Sequence, residues 1–402
     1  MFKQAYDYIL HQIEAMSLSS PKQDGPFEPS PIDVLVLKAM IQKARVLPPE
    51  IVDSIVEFAE YWPCSHSYVD YRNPVTGHES KAFRQDANTM LIRTPPVGFR
   101  NPLTDRYATD GTIPAEVMRK ECEPKHFEQS LGEAMPLLRN PVRKIVFTIK
   151  SRDQGWGGGA NGATYHGSYT WFEAGLERFD PEGKCIDEEE GKACSHRPVD
   201  KPDHFLPYCK LRSVYPEPAL MVDGRIHLHH PLLPDSKHLI QCNKVAGRSP
   251  MTHTITWSWL DDIDPKSDEA DDLVLFGRGK ETGDGEFVRN LKVGDVITVW
   301  AKTRFPGWVN NVYSVKVDVY WAVQQGCAEW SANRVFLCGH PQQLLDTECF
   351  KTFCAVAEAS HDKRCGGQPR KAVLGSKKLN EPCGECKEEK KWKLCNGVWA
   401  QL

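Results

Sequence analysis

The chain has 402 residues, 40% of them hydrophobic and 26% charged, with a formal net charge of -4. That balance excludes a wholly disordered chain and a generally cationic nucleic-acid coat, and the length predicts two or three domains. No run of about 18 uncharged apolar residues occurs, so a membrane-spanning helix is not expected.

Residues 1–16 predict a short helix, with Tyr6, Ile9, Ile13 and Met16 at helical spacing. The stretch is amphipathic and acidic, not charged and then apolar, so no secretory signal is expected. A Ser/Pro-rich linker completes residues 1–31. Residues 32–63 predict a helical pair, with Asp33 as the cap of its first member and Pro48 and Pro49 at the break. The second helix carries Ile51, Ile55, Phe58, Ala59 and Trp62 on one apolar stripe and stops at Pro63.

Residues 64–324 change to short β-branched and aromatic runs punctuated by Gly, Pro and Asp, which predicts a mainly β domain. Candidate strands cover 87–96, 143–153, 167–179, 237–246, 253–262, 274–280, 295–305 and 311–323. In the fifth, Ile255, Trp257 and Trp259 share one face while Thr254, Thr256 and Ser258 share the other, as a half-buried strand requires. So many strands with little helical periodicity between them predict an antiparallel β-sandwich, jelly-roll-like, with Trp257, Trp300 and Trp321 in its core. Residues 180–215 and 261–272 are polar and acidic, and predict long loops leaving one end of it.

Near strand ends fall Arg152, Asp153, Trp156, Trp171, Glu173, Arg304 and Trp308. Arg152, Trp156 and Trp308 are the candidate ligand-binding residues, because Arg and Trp give large contact area with few rotors. The glycine-rich stretch after Asp153 lacks the Lys-Ser/Thr of a phosphate loop and predicts a loop between two strands. His227, His229, His230 and His238 cluster in sequence, and His227 and His229 would share a face of a strand. They carry an alternative reading, a metal-dependent jelly-roll enzyme, for which no catalytic set can be chosen from linear order.

Eight of the 14 cysteines lie in the last fifth of the chain, which favours metal ligation in a reducing compartment over a disulfide framework. Residues 325–402 are therefore expected to form a zinc module. Its candidate ligands are Cys338, His340, Cys349, Cys354, Cys365, Cys383 and Cys386, with a Cys-x-x-Cys knuckle at Cys383 and Cys386. A segment this poor in large apolar residues would draw much of its stability from the metal. Ten Lys/Arg against four Glu between 363 and 393 make its tail basic, and a nucleic-acid surface there is a further alternative.

The segment LPPEIVDSIVEFAEYW resembles the first helix of an F-box, through Leu47, Pro48, Glu50, Ile51, Ile55 and Val56. That resemblance implies a protein partner, the adaptor subunit of a cullin-type ubiquitin ligase, docked on Leu47, Pro48, Glu50, Ile51 and Ile55. Over 32–324 the chain is similar to a family of uncharacterised fungal proteins that join such a helical pair to a β-rich domain. The segments carrying that likeness include IVFTIKSRDQGWGG, GSYTWFEAGLER, HTITWSWLDD and LKVGDVITVWAKTRFPGWVNNVYSVKVDVYWAV. It supplies no activity. A looser analogy is to plant F-box proteins whose second domain is a glycan- or protein-binding β-sandwich. The expectation is an intracellular adaptor, cytoplasmic or nuclear, that binds a target and performs no catalysis.

Overall fold

The computed structural model describes residues 27–45, 47–72, 77–99, 117–123, 127, 138–157, 159, 162–183, 208–220 and 226–323. It further describes strand backbone at 328–335, 341–343, 370–378, 392–395 and 398–401. The chain packs as two units, Met1–Met40 with Ser54–Val323, and Ile41–Asp53 with Gln324–Leu402. The fold is mainly β, its sheets largely antiparallel and its helices few.

Helix α1 (Pro31–Arg45) starts on a reciprocal cap. Ser30 Oγ accepts the Asp33 N–H at 3.2 Å, and Asp33 Oδ2 accepts the Ser30 N–H at 2.8 Å. Ser30 is thus the cap, and Asp33 is its partner three residues on, with Pro31 at the first helical position, where its missing N–H costs nothing. Helix α2 (Pro49–Phe58) follows after three residues. Its covered side is Val52 and Val56; the expected stripe of Ile51, Ile55 and Phe58 faces outward, Phe58 being 95% exposed. Of that stripe only Trp62, beyond the helix, is buried, with its Nε1 donating to Glu57 at 3.1 Å. Glu57 also pairs with Arg143 at 3.0 Å, which ties the end of α2 to the sheet that follows.

The main unit holds strands β1 (Cys64–Asp70), β2 (Lys81–Arg84), β3 (Asn88–Arg93), β4 (Val142–Arg152), β5 (Thr170–Phe179) and β6 (Leu211–Tyr215). A short hairpin, β7 (Pro218–Leu220) with β8 (Ile226–Leu228), leads to β9 (Leu239–Cys242) and β10 (Met251–Ser258). Helices α3 (Asp268–Leu275) and α4 (Glu286–Arg289) precede the two long strands β11 (Val296–Thr303) and β12 (Val309–Trp321). One sheet runs β1-β12-β4-β10, with β2 also on β12; the other runs β3-β11-β5-β6, with β9 also on β5.

Alternation explains the core. Ile145, Phe147 and Ile149 of β4, Ile255 and Trp257 of β10, and Val315, Val317 and Val319 of β12 form one cluster with Phe172 and Ala174 of β5 and Ile297, Val299 and Ala301 of β11. Each set is spaced by two, so one face of each sheet meets the other. The central strands β5 and β11 are covered on both faces: Trp171, Glu173, Thr298, Trp300 and Lys302 point away from that cluster and are buried as well. Gly175 sits among them because nothing larger fits. A Cβ there would meet Thr298 Oγ1 at 2.2 Å and Trp300 Nε1 at 2.6 Å.

Three expectations need correction. The strand expected at 274–280 is absent; α3 ends inside it, and residues 276–280 are turn and loop. Within the acidic stretch taken for a loop, Ser267 caps the helix and Asp268, Glu269 and Asp271 fill its first turn, where negative charge suits the exposed N–H groups. Likewise 180–215 is not all loop, since its last five residues are β6. No helix among the described residues is long and apolar enough to cross a membrane.

The second unit contains β13 (Ala328–Val335), flanked by β14 (Pro341–Gln343) antiparallel and β15 (Arg370–Lys378) parallel, and a hairpin of β16 (Trp392–Cys395) with β17 (Val398–Gln401). The seven candidate zinc ligands, Cys338, His340, Cys349, Cys354, Cys365, Cys383 and Cys386, lie outside the described residues.

Candidate functional site

Four connections meet at one end of the main unit: 85–87 after β2, 153–169 after β4, 243–250 after β9 and 304–308 after β11. Strand pairing puts them together, since Arg84 faces Val309, Ser151 faces Met251 and Thr170 faces Thr303. Beneath them a layer of buried polar side chains bridges the sheets. Ser151 donates to Asn243 Oδ1 at 2.7 Å, and Asn243 Nδ2 donates to Asn310 Oδ1 at 2.9 Å and Thr170 Oγ1 at 3.0 Å. Asn310 in turn reaches the carbonyl of Trp171 at 3.2 Å. Such satisfied groups close the apolar core with fixed geometry, which loop contacts alone would not give.

Asp153 locks the longest connection. Its buried carboxylate accepts the N–H groups of Gly155, at 2.8 Å, and Ala246, and its carbonyl accepts Asn311 Nδ2 at 2.8 Å. Burial pushes its carboxyl up from the usual range, against the opposing pull of the N–H groups of Gly155, Ala246 and Gly247. Reciprocal bonds of 2.8 Å, Ala163 N–H to Val245 and Val245 N–H to Thr164, pair this loop with the next.

Arg304 locks the connection after β11. It donates to the carbonyls of His230 at 2.6 Å and Pro231 at 3.1 Å, and pairs with Asp86 at 2.9 Å, while its own N–H reaches Tyr169 O at 3.0 Å. Next to it Phe305 has φ +65°, left-handed for a bulky aromatic residue, and the residue is 39% exposed. A conformation that costs about 1–3 kcal/mol persists where the surroundings impose it.

The result is an aromatic rim on pinned loops. Tyr169 lies edge-on between Phe305, at 4.7 Å, and Trp308, at 5.3 Å. Trp156, 64% exposed, lies beside Gly307, where an added Cβ would come within 3.5 Å of its ring. Of the residues expected to bind ligand, Trp156 and Trp308 therefore come together from different loops. Arg152 is half-buried and holds Tyr313 OH at 3.1 Å and Asp153 O at 3.2 Å, so it supports the rim and does not face outward. Tyr169 and Phe305 were not among the expected residues; the turn sequence RFPGW, aromatic residues on both sides of Pro-Gly, was the available signal.

The histidine run lies beside this end. His227 and His229 are exposed, and among the described residues they join no group of three metal-ligating side chains. His230 and His238 are half-buried, each pushed down to about 4, chiefly by burial. His238 stacks on Tyr215 at 3.5 Å, over a buried network centred on Glu173. Glu173 accepts Trp171 Nε1 and Tyr215 OH at 2.7 Å each, and Lys302 Nζ lies 3.0 Å away as an ion pair off hydrogen-bonding angle. At the opposite end a half-open cavity of about 230 Å³ is lined by Glu121, Arg178, Lys292 and Asp295, whose charges pair with one another.

Leu47 is half-buried, and Pro48, Glu50, Ile51 and Ile55 of the helical pair are exposed. Among the described residues only Cys64, His66 and Asp318 bring three possible metal ligands close together. No protein-family model, no curated protein and no solved structure matches the chain.

Proposed function

We propose that the chain is a binding adaptor: its two sheets form a jelly-roll sandwich that grips a target at the aromatic rim, and its helical pair docks a second protein. The jelly-roll reading is supported by strand order. Taking β2 with β1 and β9 with β6 as split strands, eight strands fall into two four-stranded sheets, successive strands changing sheet except from β5 to β6, the arrangement of that fold.

The observation that carries the binding role is the exposure of Trp156 and Phe305 on loops held by Asp153 and Arg304. Large rigid aromatic faces on a fixed frame bind with little loss of conformational freedom. The adaptor role draws on α2, where Ile51 and Ile55 are 48% and 42% exposed one turn apart. A zinc module in 325–402 belongs to the same reading as a structural or interacting element.

Purified full-length protein mixed with the adaptor subunit of a cullin-type ligase tests the docking half, read by calorimetry. Binding that is lost in the Leu47→Ala, Ile51→Ala double variant is the expected result; no binding, or undiminished binding by that variant, overturns it. For the target half, proteins crosslinked to the wild type in cells should be depleted with Trp156→Ala plus Phe305→Ala. An identical crosslinked set would remove the rim from the mechanism.

A further inference from the structure

Strand β1 lies at the edge of its sheet, paired with β12 so that Cys64 faces Tyr320 and His66 faces Asp318. Residues two apart in a strand share a face, so Cys64 and His66 project together, and Asp318 projects beside them from across the pair. The His66 Nδ1 is 2.6 Å from Asp318 Oδ1 and 3.8 Å from Cys64 Sγ, and one ligand atom from each of the three lies within 4.8 Å of the others. Cys64 is a free thiol, 3% exposed.

Two features separate this arrangement from an ordinary surface ion pair. The thiol and the carboxylate face the same ring nitrogen. A nucleophilic Cys-His-Asp set needs them on opposite nitrogens, and its thiol needs access, so the geometry is wrong for catalysis and right for convergence on one point. The other ring nitrogen, Nε2, is 2.7 Å from Glu28 Oε2. A metal-bound histidine commonly donates its remote N–H to just such a carboxylate, which fixes the ring and raises its basicity. Lys316 holds the second oxygen of Asp318, Oδ2, at 2.8 Å and leaves Oδ1 to the cluster.

We propose that Cys64, His66 and Asp318 bind a divalent metal ion, zinc being the best match, with Glu28 as the outer carboxylate that orients His66. Thiolate, imidazole and carboxylate form the borderline-soft donor set that zinc accepts in tetrahedral geometry, and three protein ligands leave the fourth corner to water. Acceptors already crowd both ring nitrogens of His66, with Asp318 Oδ1 and the Cys64 sulfur at Nδ1 and Glu28 at Nε2. A metal at Nδ1 would take the place of the hydrogen shared there with Asp318, and Cys64 would bind it as thiolate, its thiol proton leaving to solvent. The metal would also clamp the segment bearing Glu28 against β1, the exposed edge of the sheet. This site is separate in sequence from the C-terminal cysteines.

The test uses the full chain, because zinc held elsewhere then cancels in the comparison. Zinc per chain is measured by mass spectrometry after dialysis, for wild type, Cys64→Ser and Asp318→Asn, and cobalt uptake is followed through its thiolate charge-transfer absorption. One equivalent less zinc in both variants, with a weaker cobalt-thiolate band in Cys64→Ser, is expected. Glu28→Gln removes none of the three ligands and keeps a side chain of the same size beside His66; it should lower zinc affinity at this site by about 10–100-fold in chelator competition. Unchanged zinc content in Cys64→Ser and Asp318→Asn, or unchanged affinity in Glu28→Gln, would mean that His66 is only ion-paired, and the proposal would fall.

Discussion

Replacing Phe305 by glycine should leave the protein more stable than replacing it by alanine, the reverse of the usual order. At an ordinary position glycine is the worse choice because it frees the unfolded chain, by about 0.4–1 kcal/mol. At φ +65° an L-residue carries a steric cost of about 1–2 kcal/mol, which glycine does not share. Both variants lose the edge-on contact of the Phe305 ring with Tyr169, at 4.7 Å, so that contribution of about 0.5–1.5 kcal/mol cancels between them. The difference, about 0.5–1 kcal/mol in favour of glycine, isolates the backbone. Urea unfolding of the full chain, followed by tryptophan fluorescence, reads it as a shift in midpoint at constant slope. Should Phe305→Ala prove as stable as Phe305→Gly or more so, the turn is not imposed on Phe305, and the case for a rim held in place at an energetic cost collapses.

Gly175→Ala should destabilise by about 3 kcal/mol, the upper range of overpacking, because its Cβ would meet Thr298 Oγ1 and the Tyr215 carbonyl, both in strands; the same denaturation assay reads it. Lys302→Met leaves the fully buried Glu173 carboxylate without its cation and should cost about 3–5 kcal/mol, whereas adding Glu173→Gln should recover most of that loss. Recovery absent in the double variant would mean that the pair is not the source of the cost. Burial pushes His238 down to about 4, so folding favours its neutral form. As pH falls from 6.5 toward 4 the unfolded chain takes up the proton first, and stability drops by up to about 3 kcal/mol. Unfolding free energy measured across that window should decline less steeply in His238→Gln.

The alternating strands were legible because their chemistry is periodic. Residues 143–153 and 311–323 predict β4 and β12 to within two residues, since every second side chain is a large apolar group that the sheet buries. Strands β1 and β2, CSHSYVD and KAFR, gave no such signal: they are edge strands whose outer faces are polar. The expected strand at 274–280 failed for the opposite reason, since a serine cap and three acidic residues outweighed the short apolar run VLF. In the rim, Trp156 and Trp308 could be named because each stands beside a glycine in the sequence. The roles of Asp153 and Arg304 could not, because their partners, Ala246, His230 and Pro231, are remote in sequence. Cys64 and His66 were not read as a site, since β1 carried no strand signal and the third member is 252 residues beyond His66.

The buried charges behind β5 and β11 bear on the rim more than on stability. A buried ion pair roughly breaks even against apolar residues of the same shape, so Glu173 and Lys302 need another reason to be there. Glu173 also accepts the N–H of Asp235 at 3.3 Å, and Tyr215, bonded to the same carboxylate, carries the stacked His238. These contacts hold both ends of the segment from Asp235 to His238 against the sheet. The stretch just before it supplies the His230 and Pro231 carbonyls that grip Arg304, and Arg304 in turn fixes the turn that sets Phe305. An apolar pair at 173 and 302 would pack without telling the segment where to stop. Directional bonds from one carboxylate specify its register, and through Arg304 they specify where the exposed rings stand.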